Sequence, residues 1–271
     1  MSQNERGVPA NVMSSQPTQI KSLQKAIRIL DILKDAADGM SLAEICSRIK
    51  LSKSTVHGLI STMRDENFIE QSPTDGKYKL GVRLFELGNA VARNWDVRKV
   101  ALYHMKKLLA DFGETVHLVK LDQNEVLYID KLEGIKALRI VSEIGTRLPL
   151  YCTGVGKAMM AYLPEYEIER FMRKITFVKF TPNTITNLEA LKRELESVRK
   201  RGYAEDNQEI MEGLTCIAAP IFDHAGNAIY AISVSGPTYR FDHEMREKAI
   251  HMVKEAAMNI SVHIGYRKKR G

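Results

Sequence analysis

One stretch limits the fold of this chain more than any other. Beyond Ser52, the apolar residues Val56, Leu59, Ile60 and Met63 recur at i, i+3, i+4 and i+7. That spacing marks the buried face of a helix. Two short β-type runs follow, Phe68–Gln71 and Tyr78–Leu80. They are joined by Ser72-Pro73-Thr74-Asp75-Gly76-Lys77, whose Asp-Gly pair signals a hairpin. Two more helical segments come first. In one, Leu23, Ile27, Leu30 and Leu33 share a face, with Ser22 expected as N-cap and Gly39 as the stop. In the other, which begins after Ser41, Leu42, Ile45 and Ile49 point inward. Three helices closed by a two-stranded hairpin within residues 20–81 form the winged helix-turn-helix pattern.

The outer face of the third helix carries Ser54, His57, Ser61 and Arg64, with Lys53 and Thr55 in its first turn. A basic helix with short polar side chains fits the major groove of DNA. Its free N-terminal amides favour phosphate. Lys77 at the hairpin tip is placed for the DNA backbone or the minor groove. The plainer alternative is a three-helix bundle with a solvated polar face. Charge favours the first reading. The net charge is +7, and residues 1–85 carry 12 bases against 9 acids. Within Ser41–Arg64 the ratio is four to one. Residues 86–266 are balanced, and residues 267–271 are a basic tail, read as a solvated end. A small anion-binding module joined to a larger neutral one is the expected organisation.

Several classes are excluded. There is no run of about 18 apolar residues, so no membrane span is expected, and no signal-peptide layout is present. Cys46, Cys152 and Cys216 are too few and too far apart for a disulfide framework. A reducing cytoplasm is therefore expected. No zinc-type spacing occurs, and no metal or cofactor is expected. Residues 1–19 read as a flexible arm.

Beyond the hairpin, residues 82–96 form an expected connector helix with Leu84, Leu87, Gly88 and Val91 on one stripe. A helix from Val97 to Asp111 follows. Strands are expected at Thr115–Leu121, Val126–Ile129 and Leu138–Val141, and helices near Gly156 and Asn187. Cys216–Phe222 and Ala228–Ser235 form a hairpin, in which Pro220 marks an edge or a bulge. A last helix spans Asp242–His263. This order indicates an α+β domain with a mostly antiparallel sheet. Strand alternation puts Ser233 and Ser235 on one face with Ile229 and Ala231, away from Tyr230, Ile232 and Val234. The two hydroxyls line a pocket or simply pack under a helix. In Leu148–Ala158, small residues lead into a helix start whose amides suit a carboxylate. It is not a P-loop, because Tyr151 stands where Gly is needed and Ala158 where Ser or Thr is needed. Asp206 is suited to accept hydrogen bonds from ligand hydroxyls or to cap a loop. Arg139 can pair with an anionic ligand or with Glu143. A Cys152 nucleophile with His117 and Asp206 is chemically conceivable but not required by the spacing.

Taken together, the motifs resemble the IclR-type bacterial transcriptional regulators from Ser22 to Tyr266. The resemblance is carried by Ser52-Lys53-Ser54-Thr55-Val56-His57, Leu84-Phe85-Glu86-Leu87-Gly88, Gly113-Glu114-Thr115-Val116-His117-Leu118 and the Leu148–Ala158 segment. It continues through Arg201–Asp206, Gly213–Asp223 and Ser233-Val234-Ser235-Gly236-Pro237. It implies an N-terminal winged helix-turn-helix and a GAF-like effector domain, here residues 97–266. It also implies homodimers or homotetramers on palindromic operator DNA, with no membrane partner. The implied effector is a small organic acid, most similarly to members that sense 2-keto-3-deoxy sugar acids. The implied effector residues are Gly154, Val155, Asp206, Leu214, Cys216, Ser233, Ser235 and, more loosely, Ile140. Two positions depart from the family pattern. Gly58 stands where many members have Arg, and Val155 where many have Ala. The expected function is an effector-controlled regulator, a repressor of a carbon-catabolism operon. The alternative is a small-acid-processing enzyme with an ancillary DNA-binding module.

Overall fold

The computed structural model describes residues 19–93, 96–134 and 142–267, and the chain divides into two units between Asn94 and Trp95. In the first unit, α1 spans Lys21–Lys34, α2 Leu42–Ile49 and α3 Lys53–Asp65. Side-chain caps start the second and third of these. The Ser41 hydroxyl accepts from the Glu44 amide while Glu44 reaches back to the Ser41 amide, a full capping box. The Ser52 hydroxyl accepts from the Thr55 amide. Helix α1 differs from expectation. Its N-cap is Ile20, without a side-chain cap, and its C-cap is Asp35 rather than Gly39. Its buried residues are Ile29 and Leu33, while Leu23 and Ile27 are exposed. The buried stripe is therefore rotated from the one the apolar spacing suggests. Gly39 has a different task. With φ +73°, it lies where a Cβ would meet the Tyr78 carbonyl at 2.9 Å, next to the Met40–Tyr78 bridge.

Strands β1 (Ile69–Gln71) and β2 (Tyr78–Leu80) pair antiparallel as the hairpin, with Gly76 at φ +70° in its turn. Val56, Ile60 and Met63 of α3 pack with Ile29, Ile45, Ile69 and Tyr78 in one core. Helix α4, Val82–Arg93, follows.

In the second unit, α5 (Asp96–Phe112) precedes β3 (Thr115–Asp122), β4 (Glu125–Leu132) and β5 (Arg147–Pro149). Helices α6 (Gly154–Met160), α7 (Glu165–Met172) and α8 (Leu188–Arg201) come next. Strands β6 (Ala204–Asn207), β7 (Leu214–Ile221) and β8 (Tyr230–Pro237) and helix α9 (His243–His263) complete the order. The six strands form one antiparallel sheet in the order β5-β4-β3-β8-β7-β6. Helices α5 and α9 cover one face, burying Ile217, Ala219, Ile232 and Val234. Helix α6, with α8 packed over it, covers the other, burying Cys216, Ala218 and Ala231. The expected alternation along β8 holds: Ser233 and Ser235 lie on the α6 side with Ala231. Pro220 sits beyond Ala218, the last residue of β7 to pair with β6, so β7 is locally an edge there. The expected strand at Leu138–Val141 lies outside the described residues.

One glycine lets α6 sit on the sheet, and a second lets the segment before the helix fold back against it. A Cβ on Gly154 would come within 3.2 Å of the Cys216 sulfur and of the Asp206 amide nitrogen. At Gly156 it would meet the Leu150 carbonyl oxygen at 2.3 Å, and that atom is backbone and cannot swing aside. We expect Gly156→Ala to destabilise the protein by about 1–3 kcal/mol or more through overpacking, measured as a lowered urea midpoint with unchanged m-value.

Candidate functional site

On the first unit, Lys53, Ser54, Thr55, His57 and Arg64 are exposed on α3, and Ser61 is half-buried. Two of these side chains have local work. The Thr55 and Ser54 hydroxyls lie 2.8 and 3.2 Å from the Ser52 cap hydroxyl. Gly58 is exposed between Ser54 and Ser61, with open space where a Cβ would stand. Its carbonyl accepts from the Thr62 hydroxyl at 3.1 Å. The exposed face is thus a strip of small groups flanked by Lys53, His57 and Arg64. A contact that sequence periodicity cannot find ties this face to the hairpin. Arg64 donates to the Gln71 side-chain oxygen at 3.2 Å, and the Gln71 amide donates to the Gly76 carbonyl at 2.9 Å. Lys77 is held near Asp75, with 3.9 Å between charged atoms. Basic groups, free amides and short polar side chains on one exposed helix, with a hairpin beside it, match the phosphate and base-edge chemistry of duplex DNA.

On the second unit, the register brings distant residues together. Asp206, Cys216 and Ser235 are neighbours across β6, β7 and β8. In the adjacent row, Ala218, Ser233 and His117 are neighbours across β7, β8 and β3. A β-bulge in β4 sets Leu118 opposite Asp130 but Val119 opposite Tyr128. The extra residue keeps the Tyr128 ring on the α6 side, where it meets His117 edge-on at a centroid distance of 5.1 Å. Gly154 and Val155 at the start of α6 close over Asp206 and Cys216, with Thr153 as N-cap. Leu214 is buried at the start of β7, opposite Pro237. Seven of the eight expected effector residues therefore lie buried around the junction of α6 with β6, β7 and β8. The eighth, Ile140, lies outside the described residues, as does Arg139.

This locus is polar but closed. Ser233 and Asp206 are 1 % and 2 % exposed. Among the described residues, the Ser233 hydroxyl meets only the weakly bonding Cys216 thiol, although a buried polar group normally has a full partner. His117 bonds through Nε2 to the Ser142 hydroxyl at 2.7 Å, and its Nδ1 lies 3.5 Å from the Ser235 hydroxyl. Burial, reinforced by the Lys131 charge, holds the His117 pKa down to about 3, so the ring is neutral. One Asp206 oxygen accepts from the Glu209 amide at 2.6 Å. Burial nevertheless raises the Asp206 pKa to about 7, with the Glu209 charge adding to the rise. The Cys152 and Cys216 thiols are pushed up to about 12, by burial first and by Asp206 second. A thiol so protonated is no nucleophile at neutral pH. His117 is bonded to serines and is not available as its base. The Cys152-centred chemistry that the sequence allowed is not assembled here.

Sequence reasoning did not find the support beneath the site. Lys157, 1 % exposed, is ion-paired with Glu209 and, at 3.5 Å, with Glu194. It fixes α6 to the segment after β6 and to α8. A lysine in an apolar helix was the only available signal.

Comparison with known proteins bears on both units. Residues 22–73 match the IclR helix-turn-helix domain, and residues 89–262 match the bacterial transcriptional regulator IclR C-terminal domain. The chain is 37 % identical to the transcriptional regulator KdgR of Escherichia coli, over 94 % of this chain and 96 % of that protein. It is 32 % identical to the transcriptional repressor AllR of Klebsiella pneumoniae, over 97 % and 96 %. A crystal structure of an IclR homologue from Microbacterium hydrocarbonoxydans, complexed with 4-hydroxybenzoate, superposes with a TM-score of 0.80. It is 28 % identical and covers 90 % of this chain and 98 % of that one.

The His117 and Asp206 shifts have opposite consequences for stability. Unfolded His117 takes up a proton below its ordinary 6.5, but the folded protein resists this down to about 3, so this contribution falls as pH drops. Folded Asp206 is protonated below about 7 and unfolded Asp206 only below 3.8, so its contribution rises as pH drops. Each changes by about 1.4 kcal/mol per pH unit between roughly pH 6.5 and 4, and the two cancel. Asp206→Asn removes the rising part. Relative to wild type, its stability should fall steadily across that window in urea titrations; a pH-independent difference would show that Asp206 does not titrate there.

Proposed function

The chain belongs to the IclR family of bacterial transcriptional regulators, and from that premise we propose how its parts divide the work. It is a DNA-binding transcriptional regulator. Residues 20–81 read the operator. Lys53, Ser54, Thr55, His57, Ser61 and Arg64 face the major groove, and Lys77 meets the backbone or minor groove. Residues 82–96 connect this module to an effector domain at residues 97–266. The protein acts in the cytoplasm as a homodimer or homotetramer on a palindromic site, so that paired half-sites match the symmetry of the assembly.

The effector is a small organic acid, and the regulated genes serve carbon catabolism. The observation that carries this reading is the buried convergence of Asp206, Cys216, Ser233 and Ser235 beneath Gly154 and Val155, with the Ser233 hydroxyl met only by the weakly bonding Cys216 thiol. Empty hydrogen-bonding capacity inside a core suits a small polar ligand. The amides at the start of α6 would hold the carboxylate, and Asp206, Ser233 and Ser235 would read its hydroxyl or keto groups. The relative bound to 4-hydroxybenzoate supports an acid, and the resemblance of the motifs to sugar-acid-sensing members leans the choice toward sugar or keto acids. AllR, named a repressor, supports repression with release or rearrangement on effector binding. Such an effector shifts operator affinity only by its differential affinity for the two states of the protein.

Two measurements test this. In gel shifts on the regulator's own promoter, Arg64→Ala should weaken binding by about 1–3 kcal/mol, and Lys53→Ala should reduce the salt slope by about 1. If both variants bind like wild type, the assigned face is wrong. In a thermal-shift screen of sugar, keto and aromatic acids, a true effector at about 100 times Kd should add about 2.7 kcal/mol of stability. That gain should be lost in Ser235→Ala, and no shift across all three classes would sink the acid reading.

A further inference from the structure

The acid reading meets an electrostatic difficulty in this chain, because the group at the centre of the locus is itself an acid. Asp206 lies in a ring of titratable groups. Cys216 faces it from β7, Cys152 from the segment before α6, Tyr128 from β4 and Glu209 from the turn after β6. His117 on β3 is neutral and bonded to Ser142. Ser233 and Ser235 on β8 carry no charge. On its own strand, Glu205 is engaged by Arg246 at 2.8 Å.

Among the described residues, the cations whose charge reaches this locus are already paired. Lys157 acts on Asp206 and both thiols, but it is held by Glu209 and Glu194. Lys131 acts on His117 and is held by Glu133 at 2.7 Å. A carboxylate entering beside an ionised Asp206 would set two like charges in a buried site with no spare cation among the described residues, an arrangement in which one carboxyl keeps a proton.

We propose that the effector binds together with a proton, so that Asp206 is neutral in the complex and donates a hydrogen bond to the effector's keto or hydroxyl oxygen. This rests on the acid-effector reading above. The bond that forms is Asp206 O–H to the effector oxygen. The proton is already on Asp206 or comes from hydronium or a buffer acid, whose bond to hydrogen breaks as the Asp206 O–H forms, and no bond between heavy atoms changes. The geometry supports it. One Asp206 oxygen is fixed by the Glu209 amide, so the carboxyl has a set orientation. Burial and the neighbouring Glu209 carboxylate, which raise the Asp206 pKa to about 7, act in the same direction before any effector enters. The consequence is specificity. The site favours acids that offer an acceptor to a neutral donor, and it releases them as pH rises.

The experiment uses the full chain with 2-keto-3-deoxygluconate and 4-hydroxybenzoate as probes. Calorimetric titrations at pH 8 in phosphate and in Tris give the number of protons taken up from the difference in apparent enthalpy. We expect close to one proton per bound acid, and a Kd that rises about tenfold per pH unit above pH 8. Asp206→Asn keeps a donor without a titrating proton. It should bind the same acid with no proton uptake and with a Kd constant from pH 6 to pH 9. The carboxyl signal of Asp206, read by 13C NMR as wild type minus Asp206→Asn, should titrate near neutral pH in the free protein. Binding of either acid without proton uptake overturns the proposal, most directly if that binding is lost in Arg139→Gln, because a cation then supplies the charge. An Asp206 carboxyl that stays ionised down to pH 5, with and without acid, overturns it as well. Failure of both acids to bind at any pH overturns the acid-effector reading itself, and the NMR titration separates that outcome from a failure of the proton step.

Discussion

The buried ion pair of Lys157 with Glu209 holds the second unit's working face in place. Lys157 is part of α6, yet its ammonium reaches across to the segment after β6 and to Glu194 on α8. Charges buried this deeply are tolerated only when they find each other, and removing one partner leaves an uncompensated charge at a cost of about 3–5 kcal/mol. The pair thereby locks three elements that meet at Asp206. It also engages the Lys157 charge, which an acid ligand could otherwise meet. The same contact therefore shapes the locus and sets its electrostatics.

The sheet has to serve two cores, and small devices make that possible. Strict alternation sends Ile232 and Val234 toward α5 and α9 and sends Ala231, Ser233 and Ser235 toward α6. The bulge in β4 corrects the phase so that Tyr128 joins the α6 side while Ile129 joins the other. Gly154 brings the α6 backbone down to the distance at which Cys216 and Asp206 become its neighbours, and Gly156 lets the Leu150 backbone pass close beside the helix. Without the bulge or the glycines, the polar side chains would be spread over two faces or separated from the helix.

The first unit shows the converse economy. Its core of Ile29, Ile45, Val56, Ile60 and Ile69 is ordinary, and the distinctive chemistry lies outside. Gly58 costs α3 about 1 kcal/mol of helix propensity relative to Ala, yet it leaves the outer strip low and unobstructed. Arg64, Gln71 and Gly76 link the helix to the hairpin by side-chain hydrogen bonds, so the basic group at the end of α3 is oriented by the wing.

Periodicity and capping residues were enough to read the element types. Ser41, Ser52, Asn187 and Asp242 cap the helices expected to begin there, and the alternation along β8 was visible in its residues. Those signals are local, and they act within a turn or a strand. The α1 stripe was misread because Leu23 and Ile27 satisfy a helical spacing that the core does not use, and spacing cannot say which face finds a partner. The short strands β5 and β6 and helix α7 carry too few residues for a pattern. The effector residues were named through a family resemblance rather than from the sequence's own physics. That Asp206, Cys216, Ser233 and His117 are neighbours, that Lys157 is spoken for, and that burial raises the Asp206 pKa were all decided by tertiary structure. Pairing between strands far apart in the chain, and burial, set distance and desolvation, and neither is encoded in the order of nearby residues.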